Sequence, residues 1–125
     1  MNFLSADSVV EMNARLLRYG GLAAGGPGIR PVEGTLQINA YMPYGEELHR
    51  GLRRKAAAYA YYIIRDHVFH DGNKRTGMLA AFGFLAHNGH PVVAVSPEQV
   101  VEMALAVANG TVSIDELAAW LKAAT

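Results

Sequence analysis

The sequence predicts an all-α fold, built around one central apolar helix. Three observations support this prediction. Apolar residues recur at helical spacing along most of the chain, for example at Val9, Met12 and Leu16. Residues that favour helix ends stand between these stretches. The run over residues 78–85 is apolar on nearly every face, which is typical of a helix buried at the centre of a domain.

The elements are placed in order by their apolar spacing and by the residues at their ends. Residues 20–34 are dense in glycine and proline and are expected to form a loop. Ser96 followed by Pro97, and Ser113 with Glu116 in a capping-box spacing, are typical helix starts. The predicted elements are a helix that begins at Ser5 or Asp7 and ends at Gly20, the loop, a short helix at about 34–42, a long helix from 46 to about 67, the central helix from about 74 to 88, and two final helices after Ser96 and Ser113.

The composition predicts a single domain over residues 1–125. Hydrophobic residues make up 51% of the chain, which is enough for one packed core and too much for a disordered protein. The absence of cysteine excludes a disulfide scaffold, a zinc–thiolate site and a thiol nucleophile. No apolar run reaches the roughly 20 residues of a membrane span, and the N-terminus does not resemble a signal peptide. We therefore expect a cytoplasmic protein that does not contact a membrane.

Charge is balanced over the chain but unevenly distributed. Lys and Arg total 11, as do Asp and Glu, and this balance argues against direct nucleic-acid binding. Residues 46–75 nevertheless hold seven of the basic residues and only four of the acidic ones. This local excess suggests an anionic ligand. The alternative is that Arg50, Arg53, Arg54 and Lys55 form an exposed, solvated helix face.

The segment HVFHDGNKRT, residues 67–76, stands immediately before and within the start of the central helix. Lys74 and Arg75 fall in the first turn, where cations oppose the helix dipole and a bound anion would be stabilised. Backbone N–H groups of that turn point to the same place, and Gly72 lets the backbone approach a ligand closely. Asn73 is able to cap the helix or to donate its amide to an oxygen. The segment therefore predicts a phosphate-binding helix start.

His67 and Asp71 supply groups for chemistry on a bound phosphate. Histidine side chains titrate near neutral pH and are able to take a proton from an attacking hydroxyl. Asp71 offers a carboxylate to Mg²⁺, which commonly binds through one or two carboxylates together with substrate phosphates. These residue types together indicate phosphoryl or nucleotidyl transfer.

The same segment resembles the signature of the Fic/Doc family, a histidine followed by x-Phe-x-Asp/Glu-Gly/Ala-Asn-x-Arg-Thr. The sequence Asn-Lys-Arg-Thr at 73–76 is more similar to death-on-curing (Doc) toxins than to Fic adenylyltransferases, which usually have Asn-Gly-Arg-Thr. The helix that ends in Gly-Gly, the FLAHNGHP stretch and the SIDELAAWL helix are also Doc-like. The resemblance therefore covers nearly the whole chain and is weakest over residues 22–45.

The resemblance implies a role for each residue of the segment. It identifies His67 as the catalytic base, Asp71 as the metal-associated acid, and Phe69 as the aromatic residue that anchors the loop. Arg65 resembles a further basic position of Doc toxins. The nucleotide- and phosphate-holding positions correspond to Gly72, Asn73, Lys74 and Arg75.

The resemblance also implies a toxin of a toxin–antitoxin system. Such a protein would use ATP and Mg²⁺ to phosphorylate a Ser or Thr of a translation factor of the elongation factor Tu type. The inhibitory helix motif of many Fic proteins has no convincing counterpart here, so a Phd-like antitoxin is expected. Its acidic segment would contact Arg50, Arg53 and Arg54. Two alternatives remain open: a Fic-type protein adenylyltransferase and a catalytically idle binding module.

Lys74 bears on the choice between kinase and adenylyltransferase. A glycine at this position leaves room for backbone groups to hold a second phosphate group. A lysine side chain fills that room with a point charge. The nucleotide would then bind in a different orientation, with its terminal phosphate toward the nucleophile. A lysine at this position therefore favours kinase activity.

Other residues able to carry chemistry are expected to be structural. Tyr59, Tyr61 and Tyr62 lie on a helix that should pack, so core or rim positions are favoured over base stacking. His87 and His90 flank the end of the central helix. Their spacing permits a shared zinc ion, but the sequence suggests no third ligand.

Overall fold

The computed structural model describes residues 4–19, 51–69 and 71–125, and the regular elements within these ranges are helices. The all-α prediction is therefore confirmed. The predicted loop over 20–34 and the short helix at 34–42 lie outside the described residues. None of the described helices is long and apolar enough to cross a bilayer. The helices are α1 (Ala6–Tyr19), α2 (Leu52–Arg65), α3 (Asn73–His87), α4 (Pro97–Asn109) and α5 (Ile114–Ala124).

Helix α3 is the central helix, as the apolar run predicts. It packs most extensively against α2 and is also contacted by α1 and α4. Ala81, Phe84 and Leu85 are fully buried on its inner faces. The sequence predicts that α3 is buried on nearly every face, but one face is open, because Leu79 is 43% exposed. That face forms the floor of an open groove between α1 and α4.

The close approach of α2 and α3 depends on Gly77. A Cβ atom built at this position would lie 2.8 Å from Cγ1 of Ile64 and 3.0 Å from the carbonyl oxygen of Ala60. Both distances are shorter than ordinary carbon contacts, so a side chain at Gly77 would separate the two helices. Because α2 and α3 carry the two ends of the loop described below, this contact sets the distance between those ends.

Helix α2 is shorter than the sequence predicts. It begins at Leu52 because Gly51 has φ +86°, a left-handed conformation that interrupts the helical backbone. It ends at Arg65, and Asp66 and His67 form a turn. The prediction of a helix that continues to about residue 67 is therefore wrong by two residues, and residues 46–50 lie outside the described ranges.

The basic residues at the start of α2 do not form a solvated face. Lys55 is fully buried. Arg54 forms an ion pair with Asp115 of α5. Arg53 places Nη2 3.1 Å from the Thr125 hydroxyl. The interpretation as an exposed charged face is therefore wrong for these three residues, because Lys55 is buried and α5, which packs against α2, brings partners to Arg53 and Arg54.

The predicted starts of α4 and α5 are confirmed as capping boxes. The Gln99 N–H donates to Oγ of Ser96, and the Ser96 N–H donates to Oε1 of Gln99. The Glu116 N–H donates to Oγ of Ser113 at 3.1 Å, and the reciprocal bond has the same length. Each box satisfies backbone donors that a helix start otherwise leaves without a partner.

The tyrosines of α2 occupy core and rim positions, as predicted. Tyr59 is fully buried, and its ring centroid lies 5.1 Å from that of Phe84. Its hydroxyl accepts the Leu4 N–H at 3.0 Å, which holds the residues before α1 on the core. Tyr61 and Tyr62 are half-buried and form an edge-to-face pair.

Two glycines of α3 form a matched test of the α2–α3 contact. We expect Gly77→Ala to lower the free energy of unfolding by about 1–3 kcal/mol, because the added methyl meets backbone and a buried branched side chain. Gly83→Ala should raise it by about 0.5–1 kcal/mol, since its Cβ would lie 3.5 Å from Cε of Met12, an ordinary contact. Urea denaturation measures both. Equal effects of the two substitutions would contradict the packing argument.

Candidate active site

The second residue of the loop between α2 and α3 has a strained backbone. His67 has φ +51°, in the left-handed region that residues other than glycine seldom occupy. Such a conformation persists only where neighbouring contacts impose it, and it is frequent at functional sites. The side chain of His67 is exposed, while Val68 and Phe69 directly after it are buried. The turn thus holds the imidazole at the surface and drives the following aromatic ring, 2% exposed, into the core.

The side-chain amide of Asn73 closes this loop. Its Oδ1 accepts the Phe69 N–H at 2.8 Å, and its Nδ2 donates to the Phe69 carbonyl oxygen at 2.7 Å. The same Nδ2 lies 3.3 Å from Nδ1 of His67. Asn73 is 7% exposed, so these bonds replace water for buried backbone groups. Its side chain therefore holds the loop in shape and contacts the imidazole.

The start of α3 offers backbone donors to an anion. Gly72 is the residue before the helix, with φ +77°, and no side chain among the described residues caps this end. The first N–H groups of α3 lack partners within the helix, as at every helix start. Lys74 and Arg75 in this turn are exposed. Of the two roles that the sequence left open for Asn73, the structure shows the second, because its amide donates to the Phe69 carbonyl oxygen and does not cap the helix.

Most of the predicted site residues line one cavity of about 260 Å³. Arg65 from the end of α2 and Ala108 from α4 complete its wall, and Nη1 of Arg65 donates to the Ala108 carbonyl oxygen at 3.1 Å. The wall thus contains two cationic residues, Arg65 and Lys74, and one carboxylate, and this excess of positive charge favours an anion. The predicted residues on its wall are His67, Asp71, Gly72, Asn73 and Lys74.

Arg75 is placed differently from the other predicted phosphate-binding residues. It lines the groove of about 420 Å³ between α1, α3 and α4, and the cavity that contains His67 does not include it. Lys74 lines both spaces and therefore stands on the ridge between them. We call the first space the apolar groove; its apolar wall includes Leu16, Leu79, Phe82, Val101 and Leu105.

Comparison with known proteins assigns the family. A sequence profile described as the Fic/DOC family matches residues 3–85. The chain belongs to the Fic/DOC family. Among known Fic/DOC proteins, the "Protein kinase doc" of Escherichia phage P1 is 31% identical over 123 residues. The alignment covers 98% of this chain and 94% of the phage protein. The resemblance found in the sequence is therefore confirmed.

The donor set of this Fic/DOC site fits Mg²⁺ only in the presence of a nucleotide. Asp71 is the carboxylate on the cavity wall, and no group of three or more metal-ligating side chains occurs among the residues that the structure describes. Mg²⁺ often binds through one carboxylate, water and substrate phosphates rather than in a protein cage. Oδ1 of Asp71 accepts the Gly72 N–H at 2.8 Å, which fixes the carboxylate beside the start of α3.

One residue at the Fic/DOC site was missed by the sequence analysis. Asn13 of α1 is 3% exposed, and its Nδ2 donates to the Asp71 carbonyl oxygen at 2.8 Å. The same atom donates to Oγ1 of the fully buried Thr76 at 3.1 Å. The sequence signal that could have identified Asn13 is its polarity, since it lies beside Val9 and Met12 on the apolar side of α1. Pattern analysis does not identify its partners, because they lie about 60 residues later, at separations of 58 and 63.

Two asparagines, one at the start of α3 and one directly after its end, test the closure of the loop. We expect Asn73→Ala to destabilise the protein by about 2–4 kcal/mol, because the buried N–H and carbonyl groups of Phe69 would both lose their partner. Asn88→Ala should cost about 0.5–1.5 kcal/mol, since Asn88 donates to the Phe84 carbonyl oxygen at the half-buried end of the same helix. Thermal and urea unfolding measure the difference. A cost for Asn73→Ala no larger than for Asn88→Ala would contradict the loop-closure role.

Proposed function

We propose that this protein is a protein kinase that uses ATP and Mg²⁺ to phosphorylate a Ser or Thr hydroxyl. The observation that carries the proposal is the joint placement of His67, Asp71 and the start of α3 around one cavity. Phosphoryl transfer requires chiefly positioning and neutralisation of charge, and this cavity offers both. The similarity to a relative named protein kinase Doc supports the same reaction.

Each residue of the cavity has a distinct task in the proposed reaction. His67 takes the proton of the attacking hydroxyl as the oxygen bonds to phosphorus. Asp71 would hold Mg²⁺, which when bound neutralises phosphate charge. Backbone N–H groups after Gly72 donate to phosphate oxygens, and Lys74 and Arg65 add positive charge. The side chain of Asn73 maintains the loop, and the phosphate contact at this position comes from its backbone.

The contact between Asn73 and His67 constrains the proton position on the ring. For Nε2 to act as the base, the neutral imidazole must carry its proton on Nδ1. The Asn73 amide group near Nδ1 is itself a donor, since its oxygen is engaged by the Phe69 N–H. It therefore opposes the base tautomer. At 3.3 Å the contact is long and therefore weak, and the imidazole is exposed, so this opposition is small.

Lys74 supports phosphorylation over adenylylation. Lys74 lines both the cavity and the apolar groove beside the start of α3. A glycine at this position would leave the backbone room to hold a second phosphate group, which the lysine side chain fills with a point charge. A nucleotide held by its terminal phosphate presents that phosphate to the hydroxyl and releases ADP. A protein adenylyltransferase remains the second candidate, because the rest of the motif is common to both activities.

We further propose that the kinase is the toxin of a toxin–antitoxin pair. Its substrate would be a translation factor of the elongation factor Tu type, and the reaction would take place in the cytoplasm. A Phd-like antitoxin would inhibit it in trans. The basic residues first expected to attract that partner do not suit the role, because Arg53 and Arg54 are engaged with α5 and its C-terminus. Arg50 lies outside the described residues.

The apolar groove suits an inhibitory partner better. Leu79, Val101 and Leu105 are 43%, 58% and 45% exposed along it, and Lys74 and Arg75 stand at one end. An amphipathic helix with apolar residues on one face and an acidic end matches this pattern. Because Lys74 also lines the cavity, such a helix would lie directly beside the phosphate site.

Substitution of His67 tests the kinase proposal. We expect His67→Ala to lower phosphate transfer by about 10²–10⁴-fold, the usual contribution of a general base, and to relieve toxicity on expression. The exposed His87 at the end of α3 is a matched control, and His87→Ala should leave both unchanged. The product is identified from the intact mass of elongation factor Tu after it is incubated with the protein, ATP and Mg²⁺.

The mass increment separates the two candidate reactions. A phosphoryl increment is expected, and an adenylyl increment would instead establish the second candidate. Lys74→Gly should weaken phosphate transfer and shift the product toward adenylylation. If Lys74→Gly transfers phosphate at an unchanged rate, Lys74 does not determine the choice between phosphorylation and adenylylation. A His67→Ala protein as active as the parent would refute the proposed base.

Substitution in the apolar groove tests the proposed partner site. We expect Leu105→Asp to abolish co-purification with the product of the adjacent reading frame, because a carboxylate would be buried against apolar residues. Val93→Asp, at a residue 75% exposed and outside the groove, should have no effect. Retained co-purification of Leu105→Asp, or its equal loss in both variants, would refute this site.

A further inference from the structure

We propose that Asn13 of α1 is a positioning residue for the metal-binding carboxylate of Asp71, an inference that rests on the proposed function. Both hydrogens of its amide group are directed at the site. One bonds to the Asp71 carbonyl oxygen at 2.8 Å, and the other bonds to Oγ1 of Thr76 at 3.1 Å. A single nitrogen on α1 thus connects the residue that would hold Mg²⁺ to the first turn of α3.

The position of Asn13 in the core supports a functional reason for its polarity. It is 3% exposed and lies on the side of α1 that carries the fully buried Val9. An apolar residue there would avoid the cost of burying an amide, which is offset only by good hydrogen bonds. The amide bonds to two groups that belong to the site and contributes geometry that a leucine of similar volume could not.

The consequence for Asp71 follows from its other bonds. Its Oδ1 accepts the Gly72 N–H at 2.8 Å, so the carboxylate direction depends on the backbone between Asp71 and Gly72. The Thr76 N–H donates to the Gly72 carbonyl oxygen at 2.8 Å and extends the same connection into α3. Asn13 holds both sides of this short segment. Without it, the carbonyl group of Asp71 loses a buried donor and the segment is able to rotate.

The expected effect is on metal-dependent nucleotide binding. Residues that orient a metal ligand typically change metal affinity or activity by about 10–100-fold. We expect Asn13→Leu to weaken ATP binding in Mg²⁺ by about this factor and to leave the weaker binding of ATP in EDTA unchanged. Isothermal titration calorimetry with Mg²⁺–ATP and with ATP in EDTA measures the two affinities. Asn13→Asp, which has a carboxylate where donors are needed, should have the same effect.

A stability-matched control separates positioning from packing. Val9→Ala removes volume from the same side of α1 and should destabilise the protein while leaving the Mg²⁺ dependence of ATP binding unchanged. A second readout uses the protein without ligands. Amide hydrogen exchange at Gly72 should accelerate in Asn13→Leu, because its acceptor on Asp71 becomes mobile, and should not accelerate specifically in Val9→Ala.

The outcomes distinguish this inference from the proposed function. If the parent protein binds no Mg²⁺–ATP, the proposed function fails, and the exchange rate at Gly72 still decides whether Asn13 orders the segment. If the parent binds Mg²⁺–ATP and Asn13→Leu shows the same Mg²⁺ dependence and the same Gly72 exchange as Val9→Ala, Asn13 is a packing residue and the inference is overturned.

Discussion

The two hydrogen bonds between the Asn73 side chain and the backbone of Phe69 are the interaction on which the candidate site depends. They join the loop that leaves α2 to the first residue of α3, at 2.8 and 2.7 Å. Because the loop is closed, His67 keeps a left-handed backbone that a histidine would otherwise avoid. The same closure buries Phe69 and holds the imidazole at the mouth of the cavity. Loss of these bonds would change the shape of the loop, although neither bond involves a group that would contact substrate.

The helical core supplies the fixed frame for that loop. Gly77 allows α3 to approach Ile64 and Ala60 of α2 closely. This contact fixes the distance between the two ends of the loop. Asn13 adds a third support, from α1, to the segment that carries Asp71. The proposed chemistry therefore depends on contacts among three helices. The groups that would contact the nucleotide lie at the ends of these helices and in the loop between α2 and α3. Such an arrangement fixes the positions of charged side chains while leaving them at least partly exposed to solvent.

Much of the fold was predictable from local sequence. The apolar run around Phe84, and the serine caps at Ser96 and Ser113, depend on interactions within about one helical turn, and each was predicted. The motif from His67 onward also identified the Fic/DOC family, because its characteristic residues follow one another within ten positions. Local patterns failed where distant packing decides the outcome. Arg54 pairs with Asp115 of the distant α5, and Asn13 binds a segment about 60 residues away, at separations of 58 and 63.

The central claim is that one cavity, formed by the loop after α2 and the start of α3, binds a nucleotide with Mg²⁺. Backbone amide chemical shifts on titration with Mg²⁺ and a non-hydrolysable ATP analogue test it most directly. The largest changes are expected at Gly72, Asn73 and Lys74, with a change at His67 and little change at Leu105 in the apolar groove. Largest changes along the groove, or no saturable change at the start of α3, would contradict the account.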